Sequence, residues 1–158
     1  MTGAYVVVGV TPGQPEAVVR AAARFALRFD AEVVCAHVLT GNYAVSEDPD
    51  GNVHSLPIDA DARDWSEGLF DQGLLGRLPE ILDPLGVRWS TRTLAGEPAR
   101  ALSHLADKLN AAMIVLGTRR TDGRRTFREF FATSVAVHLA HRQHRPVVVV
   151  PLDPVGFE

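Results

Sequence analysis

A chain of 158 residues is long enough for one domain with a full core and leaves little room for a second. Apolar residues make up 46% and charged residues 22%, which excludes a disordered chain, and a net charge of −3 gives no global reason to bind nucleic acid or an anionic membrane. No apolar run nears the roughly 20 residues that cross a bilayer, the N-terminal MTGAYVVVGV lacks the pattern of a secretory signal, and the lone cysteine, Cys35, excludes an internal disulfide framework, so a reducing cytoplasm is the expected location.

Tyr5 to Val10 form a β-branched run stopped by Thr11-Pro12-Gly13, as in a strand buried on both faces. Val18, Val19, Ala22, Phe25, Ala26 and Phe29 then recur at helical spacing, with Arg20, Arg24 and Arg28 as a solvated stripe. Glu32 to Leu39 reads as a second strand, so the first two strands should be parallel, joined by a helical crossover. Thr40 to Ile58 shows no periodicity and contains SEDPDGN, which predicts a long variable loop. A helix is expected from about Asp59 to Asp83, with a kink or break between Gly76 and Pro79.

Val87, Trp89, Thr91 and Thr93 alternate, which suits an edge strand with one more polar face. After Gly96, the segment EPARALSHLADKLN predicts a helix opened by proline, and Ala112 to Gly117 another buried strand. Thr126 and Glu129 form a capping box before a helix carrying Phe127, Phe130, Phe131, Val135 and Leu139. Val147 to Val150, bracketed by Pro146 and Pro151, reads as the last strand. The order βαβαβαβαβ predicts an α/β fold: a doubly wound, five-stranded parallel sheet with helices on both faces.

In such sheets, ligands collect beyond the carboxyl ends of the strands, where strand order reverses. Two such ends carry glycine: Gly9-Val10-Thr11-Pro12-Gly13 and Leu116-Gly117-Thr118-Arg119-Arg120-Thr121-Asp122-Gly123. Of the 16 basic residues all but Lys108 are arginine, so no lysine follows a glycine as a Walker-type phosphate loop requires. The nucleophile elbow, the H-E-x-x-H and C-x-x-C motifs and the dinucleotide fingerprint are also missing. His138, His141 and His144 drift around their helix rather than converge, and no metal site is expected. His37, inside a strand, reads as a hydrogen-bonded core residue rather than a catalyst. The arginines from Arg119 to Arg128 read as a solvated loop, and the phenylalanines beside them have core spacing, unlike a nucleic-acid surface.

The segments YVVVGVTPG, AAARFALRFDAEVVCAHVL, AGEPARALSHLADKLNAAMIVLG and RPVVVVP together resemble the universal stress protein family, except over the stretch from 40 to about 85. The resemblance implies strand order 3-2-1-4-5, the adenine nucleotide alpha hydrolase-like arrangement, and a homodimer, with Val147, Val148, Val149 and Val150 as its interface. One branch of that family binds ATP through G-x2-G-x9-G-S/T. Carried onto this chain, the first glycine falls on Gly117 and the second on Gly123, which stretches the first spacer to five residues; keeping the original spacing puts Arg120 there instead. Thr133 replaces the third glycine, while Ser134 and Val135 agree. Thr11 stands where the family's aspartate meets the nucleoside, and Val38 corresponds to the backbone contact for adenine.

The candidate nucleotide-binding residues are therefore Val10, Thr11, Pro12, Val38, Leu116, Gly117, Arg119, Arg120, Gly123, Thr133, Ser134 and Val135. Replacing the carboxylate by a hydroxyl weakens the ribose end by about 1–2 kcal/mol. A helix begun at Thr126 would enclose Thr133 and Ser134 and occupy their amides, so tight ATP binding is not expected. The reading is a non-catalytic, dimeric stress-response regulator with a weak site for ATP or another adenine nucleotide, and no metal. The alternatives are a nucleotide hydrolase or transferase using the loops after strands one and four, and a ligand-free dimeric scaffold.

Overall fold

The computed structural model describes residues 3–59, 61, 69–118 and 127–152, with the backbone alone for residues 127–134. Five strands form one parallel sheet: β1 (Ala4–Gly9), β2 (Ala31–Leu39), β5 (Trp89–Ala95), β6 (Met113–Gly117) and β7 (Val147–Val150). Among the described residues four α-helices accompany them: α1 (Glu16–Phe29), α2 (Gln72–Leu82), α3 (Pro98–Leu109) and α4 (Phe127–Arg142). The sheet order is β5-β2-β1-β6-β7. In chain numbering this differs from 3-2-1-4-5, because two further strands, β3 (Asn42–Glu47) and β4 (Val53–Pro57), lie outside the sheet. Within the sheet alone the expected neighbours are kept, and the order reverses between β1 and β6.

Alternation along each strand divides the core. Val6, Val8, Val10, Val33, Cys35, Met113 and Val115 pack with α1 and α2 on one face. On the other, Val7, Val34, Ala36, Ile114 and Leu116 meet α3 and the Val135–Leu139 stretch of α4. Burial on both faces is why these strands read as unbroken apolar runs. β5 and β7 lie at the two edges, where the polar alternation of β5 had placed it.

Two expectations are corrected. The stretch from Thr40 to Ile58 is an antiparallel hairpin of β3 and β4, with a bulge between Ala44 and Ser46. Its pattern hid it: Tyr43, Val45, Leu56 and Ile58 are exposed, whereas Asn42 is buried and donates to Ser55 Oγ at 3.0 Å. The hairpin's loop anchors it to the β5 edge and α3. Thr93 N donates to Asn52 Oδ1 at 3.1 Å, Arg92 Nε to the Asp50 carbonyl at 2.6 Å, and Lys108 Nζ to Glu47 Oε1 and the Asp48 carbonyl, both at 2.9 Å. Edge β5 is thus covered rather than open to strand pairing.

The second correction concerns the helix expected from Asp59. α2 begins at Gln72, capped by Asp71 Oδ1 accepting from Leu74 N at 2.9 Å, and Asp59 itself lies in a bend. α2 then runs unbroken through Pro79 to Leu82. Pro79 removes the donor for the Leu75 carbonyl. Leu74, Leu78, Ile81 and Leu82 are buried on the opposite stripe, and their packing outweighs that single lost bond.

Candidate functional site

β1 and β6 end side by side at one rim of the sheet. Continuing their register, Val8 opposite Val115, sets Val10 level with Gly117. β1 leaves the sheet through Val10, whose amide donates to the Ala36 carbonyl at 2.9 Å and whose carbonyl meets His37 Nδ1 at 3.2 Å. His37 stacks edge-on against buried Phe70, with ring centroids 5.7 Å apart. The histidine is therefore tied into the wall of the rim. Thr11 and Pro12 are exposed, and Gly13, at φ 75°, turns the chain toward α1. That left-handed conformation favours glycine.

Gln14 follows, and it is the rim residue for which the sequence carried no signal. Its amide nitrogen Nε2 donates to the Gly9 carbonyl at 3.4 Å. The same nitrogen would lie 3.4 Å from a methyl group built on Gly117. The side chain thus spans the ends of β1 and β6. Its backbone is held by Gln14 N donating to the Thr11 carbonyl at 3.1 Å and by Arg77 Nη1, from α2, donating to the Gln14 carbonyl at 3.2 Å. No sequence motif marks Gln14 or Arg77, since the contact between them depends on α2 packing beside α1.

Gly117 is crowded by the protein's own side chains. A methyl there would come 2.6 Å from Val18 Cγ2 and 3.2 Å from Leu152 Cδ1. Close packing of α1 onto the end of β6 is by itself a sufficient reason for glycine. Beyond it, Thr118 N donates to the Val150 carbonyl at 2.9 Å, and Thr118 Oγ1 accepts from Leu152 N at 2.8 Å.

Charge at the rim is negative first and then compensated. Glu16 occupies the first turn of α1, where the helix dipole favours an acid. Its carboxyl is held below the usual range by a hydrogen bond from Arg20, with Arg77 3.7 Å away adding to the effect against partial desolvation. A phosphate approaching this helix end would meet that carboxylate. Among the described residues, the rim offers a carboxamide and an imidazole tied to a carbonyl, while the amides of Val10, Gln14 and Thr118 already donate to the Ala36, Thr11 and Val150 carbonyls. No nucleophile hydrogen-bonded to a base is present in that set.

Of the twelve candidate positions, Val10, Thr11, Pro12, Leu116 and Gly117 lie at this rim, in unequal roles. Val10 and Leu116 are buried, Leu116 on the α3/α4 face. Val38 is half-buried in β2, opposite Leu94. Arg119, Arg120 and Gly123 lie outside the described residues. Thr133 and Ser134 fall inside α4, so their amides belong to its own ladder of hydrogen bonds. Val135 is buried in the core against α3 rather than open to a ligand. His138, His141 and His144 are exposed, and among the described residues no group of three or more His, Cys, Asp or Glu could hold a metal ion. None of the described helices is long and apolar enough to cross a membrane.

A sequence model of the Universal stress protein family matches residues 5–151. The chain belongs to that family. It is similar to a universal stress protein of Methanocaldococcus jannaschii, 30% identical over 131 residues, spanning 82% of this chain and 70% of that one. Its fold resembles a universal stress protein of Archaeoglobus fulgidus solved in complex with dAMP. That match has a TM-score of 0.60 at 19% identity and covers 95% of this chain and 99% of that one. Another universal stress protein, solved in complex with cAMP, gives a TM-score of 0.58 at 21% identity, covering 96% and 98%. A family protein of Arabidopsis thaliana with AMP bound scores 0.51 at 16% identity over 95% and 92%. The hairpin of β3 and β4 falls in the stretch where the resemblance had lapsed.

Proposed function

We propose that this member of the universal stress protein family is a non-catalytic cytoplasmic regulator that acts as a homodimer and holds an adenine nucleotide weakly at the β1/β6 rim. The observation that carries the ligand part is the position of that rim, at the reversal of strand order, together with related folds solved around dAMP, cAMP and AMP. Weakness follows from Thr11 in place of an acid, from Glu16 at the helix entrance, and from Thr133 and Ser134 lying within α4. The cytoplasmic assignment rests on the single thiol of Cys35.

The dimer part rests on β7. It is an edge strand, Val149 is 42% exposed, and an open groove beside it is lined by Phe25, Val148, Val150 and Pro151 with Arg24 and Arg28. A second copy of β7 would pair the backbone groups of its outer edge, which have no strand partner among the described residues, and cover the valines. Light scattering should give a dimer mass for the parent and a monomer mass for Val149→Lys; a monomeric parent at all concentrations refutes this part.

The ligand part is tested by calorimetric titration with ATP, ADP, AMP and cyclic AMP, with product assayed in parallel. Binding without product is expected. Product release overturns the non-catalytic reading. The crowding at Gly117 favours a second reading, a ligand-free dimeric scaffold, which silence for all four nucleotides together with a dimer mass would support.

A further inference from the structure

The crevice between the ends of β1 and β6 is occupied by part of the chain itself. Gln14 Nε2 lies 3.4 Å from the Gly9 carbonyl and as close to the position of a Gly117 methyl, so the carboxamide bridges the two strand ends where the sheet order reverses. We propose that Gln14 is the residue that sets ligand affinity at this rim: its side chain is an internal stopper that must swing out before a nucleotide can enter. The proposal rests on the nucleotide reading above and adds its control.

The geometry suits a displaceable group. A separation of 3.4 Å is at the long end for N–H···O, so the bond to Gly9 is easily given up. The backbone, in contrast, is pinned by Gln14 N to the Thr11 carbonyl and by Arg77 to the Gln14 carbonyl. Only the side chain needs to move, and it is half-buried rather than locked in the core. The carboxamide donates to the Gly9 carbonyl, and a nucleotide carries N–H donors that can take the same carbonyl. The ligand therefore competes with Gln14, and its apparent affinity is the intrinsic affinity multiplied by the fraction of molecules with the side chain displaced.

The test titrates AMP into the parent protein, Gln14→Ala and Gln14→Ser. Both variants are expected to bind AMP at least about five-fold more tightly, the removal of that population penalty. Equal affinities overturn the stopper and leave the nucleotide reading standing. Weaker binding by the variants also overturns it, by making Gln14 a direct contact. No binding by any of the three overturns both. Should the variants melt early, the parent decides: the Gln14 side-chain amide resonances must shift on saturation with AMP, and fixed resonances refute displacement.

Discussion

Replacing Gly117 by alanine tests the tight seam between α1 and β6. The added methyl would sit 2.6 Å from Val18 Cγ2, against the 3.5–4.0 Å at which carbon atoms normally rest, so the seam must open by about 1 Å. Val18 cannot turn aside. It is fully buried, β-branched and in the first turns of a helix, where one χ1 rotamer dominates. Leu152 Cδ1 at 3.2 Å blocks a second direction. Overpacking of this kind costs about 1–3 kcal/mol, which in a chain of this length lowers the melting temperature by about 2–4 °C per kcal/mol. Urea denaturation of Gly117→Ala, Val18→Ala and the double variant measures it. Val18→Ala alone loses about 2 kcal/mol of packing. In the double variant the new methyl takes some of the vacated space, so a favourable coupling of about 1 kcal/mol is expected. If Gly117→Ala stays within about 0.5 kcal/mol of the parent and no coupling appears, Gly117 is not there for packing.

Three further predictions concern groups away from the rim. Glu97 caps α3, accepting from Ala99 N at 3.0 Å and Arg100 N at 2.9 Å; Glu97→Ala should cost about 1 kcal/mol in thermal melts, and an unchanged melt would sink the capping role. Burial pushes the Cys35 thiol up to about 12, so an aromatic disulfide reagent at mild alkaline pH should label it only after unfolding, and native labelling at a free-thiol rate refutes this. The Glu47 carboxyl is held below its ordinary 4.5 by hydrogen bonds from Lys108 and then His104. Because the folded value is the lower one, its small contribution to stability is present above pH 4.5 and disappears as pH falls through the folded value. Lys108→Ala should raise the Glu47 midpoint in a carboxyl NMR titration and flatten that acid-side loss; an unmoved midpoint would show the contact to be unoccupied in solution.

Much of the fold was legible along the chain because parallel strands buried on both faces leave plain apolar runs. Val6-Val7-Val8 and Val33-Val34-Cys35 need no partner to be recognised. The β3/β4 hairpin was not legible, because Tyr43, Leu56 and Ile58 face solvent and the bulge at Val45 breaks the alternation. α2 misled in the other direction: local propensity argued for a break at Gly76 to Pro79, and burial of Leu78, Ile81 and Leu82 overrode it.

For the site, the sequence by itself located Gly117 and Thr11 at strand ends, because glycine turns after apolar runs mark the carboxyl edge of a parallel sheet. The capping box at Thr126 and Glu129 signalled a helix start, and the structure carries that helix unbroken through Thr133 and Ser134. What only the tertiary structure decided is the content of the crevice. Gln14 reaches Gly117, and Val18 crowds it, only because α1 packs back against the end of β6, and contacts between residues about a hundred positions apart leave no trace in local pattern.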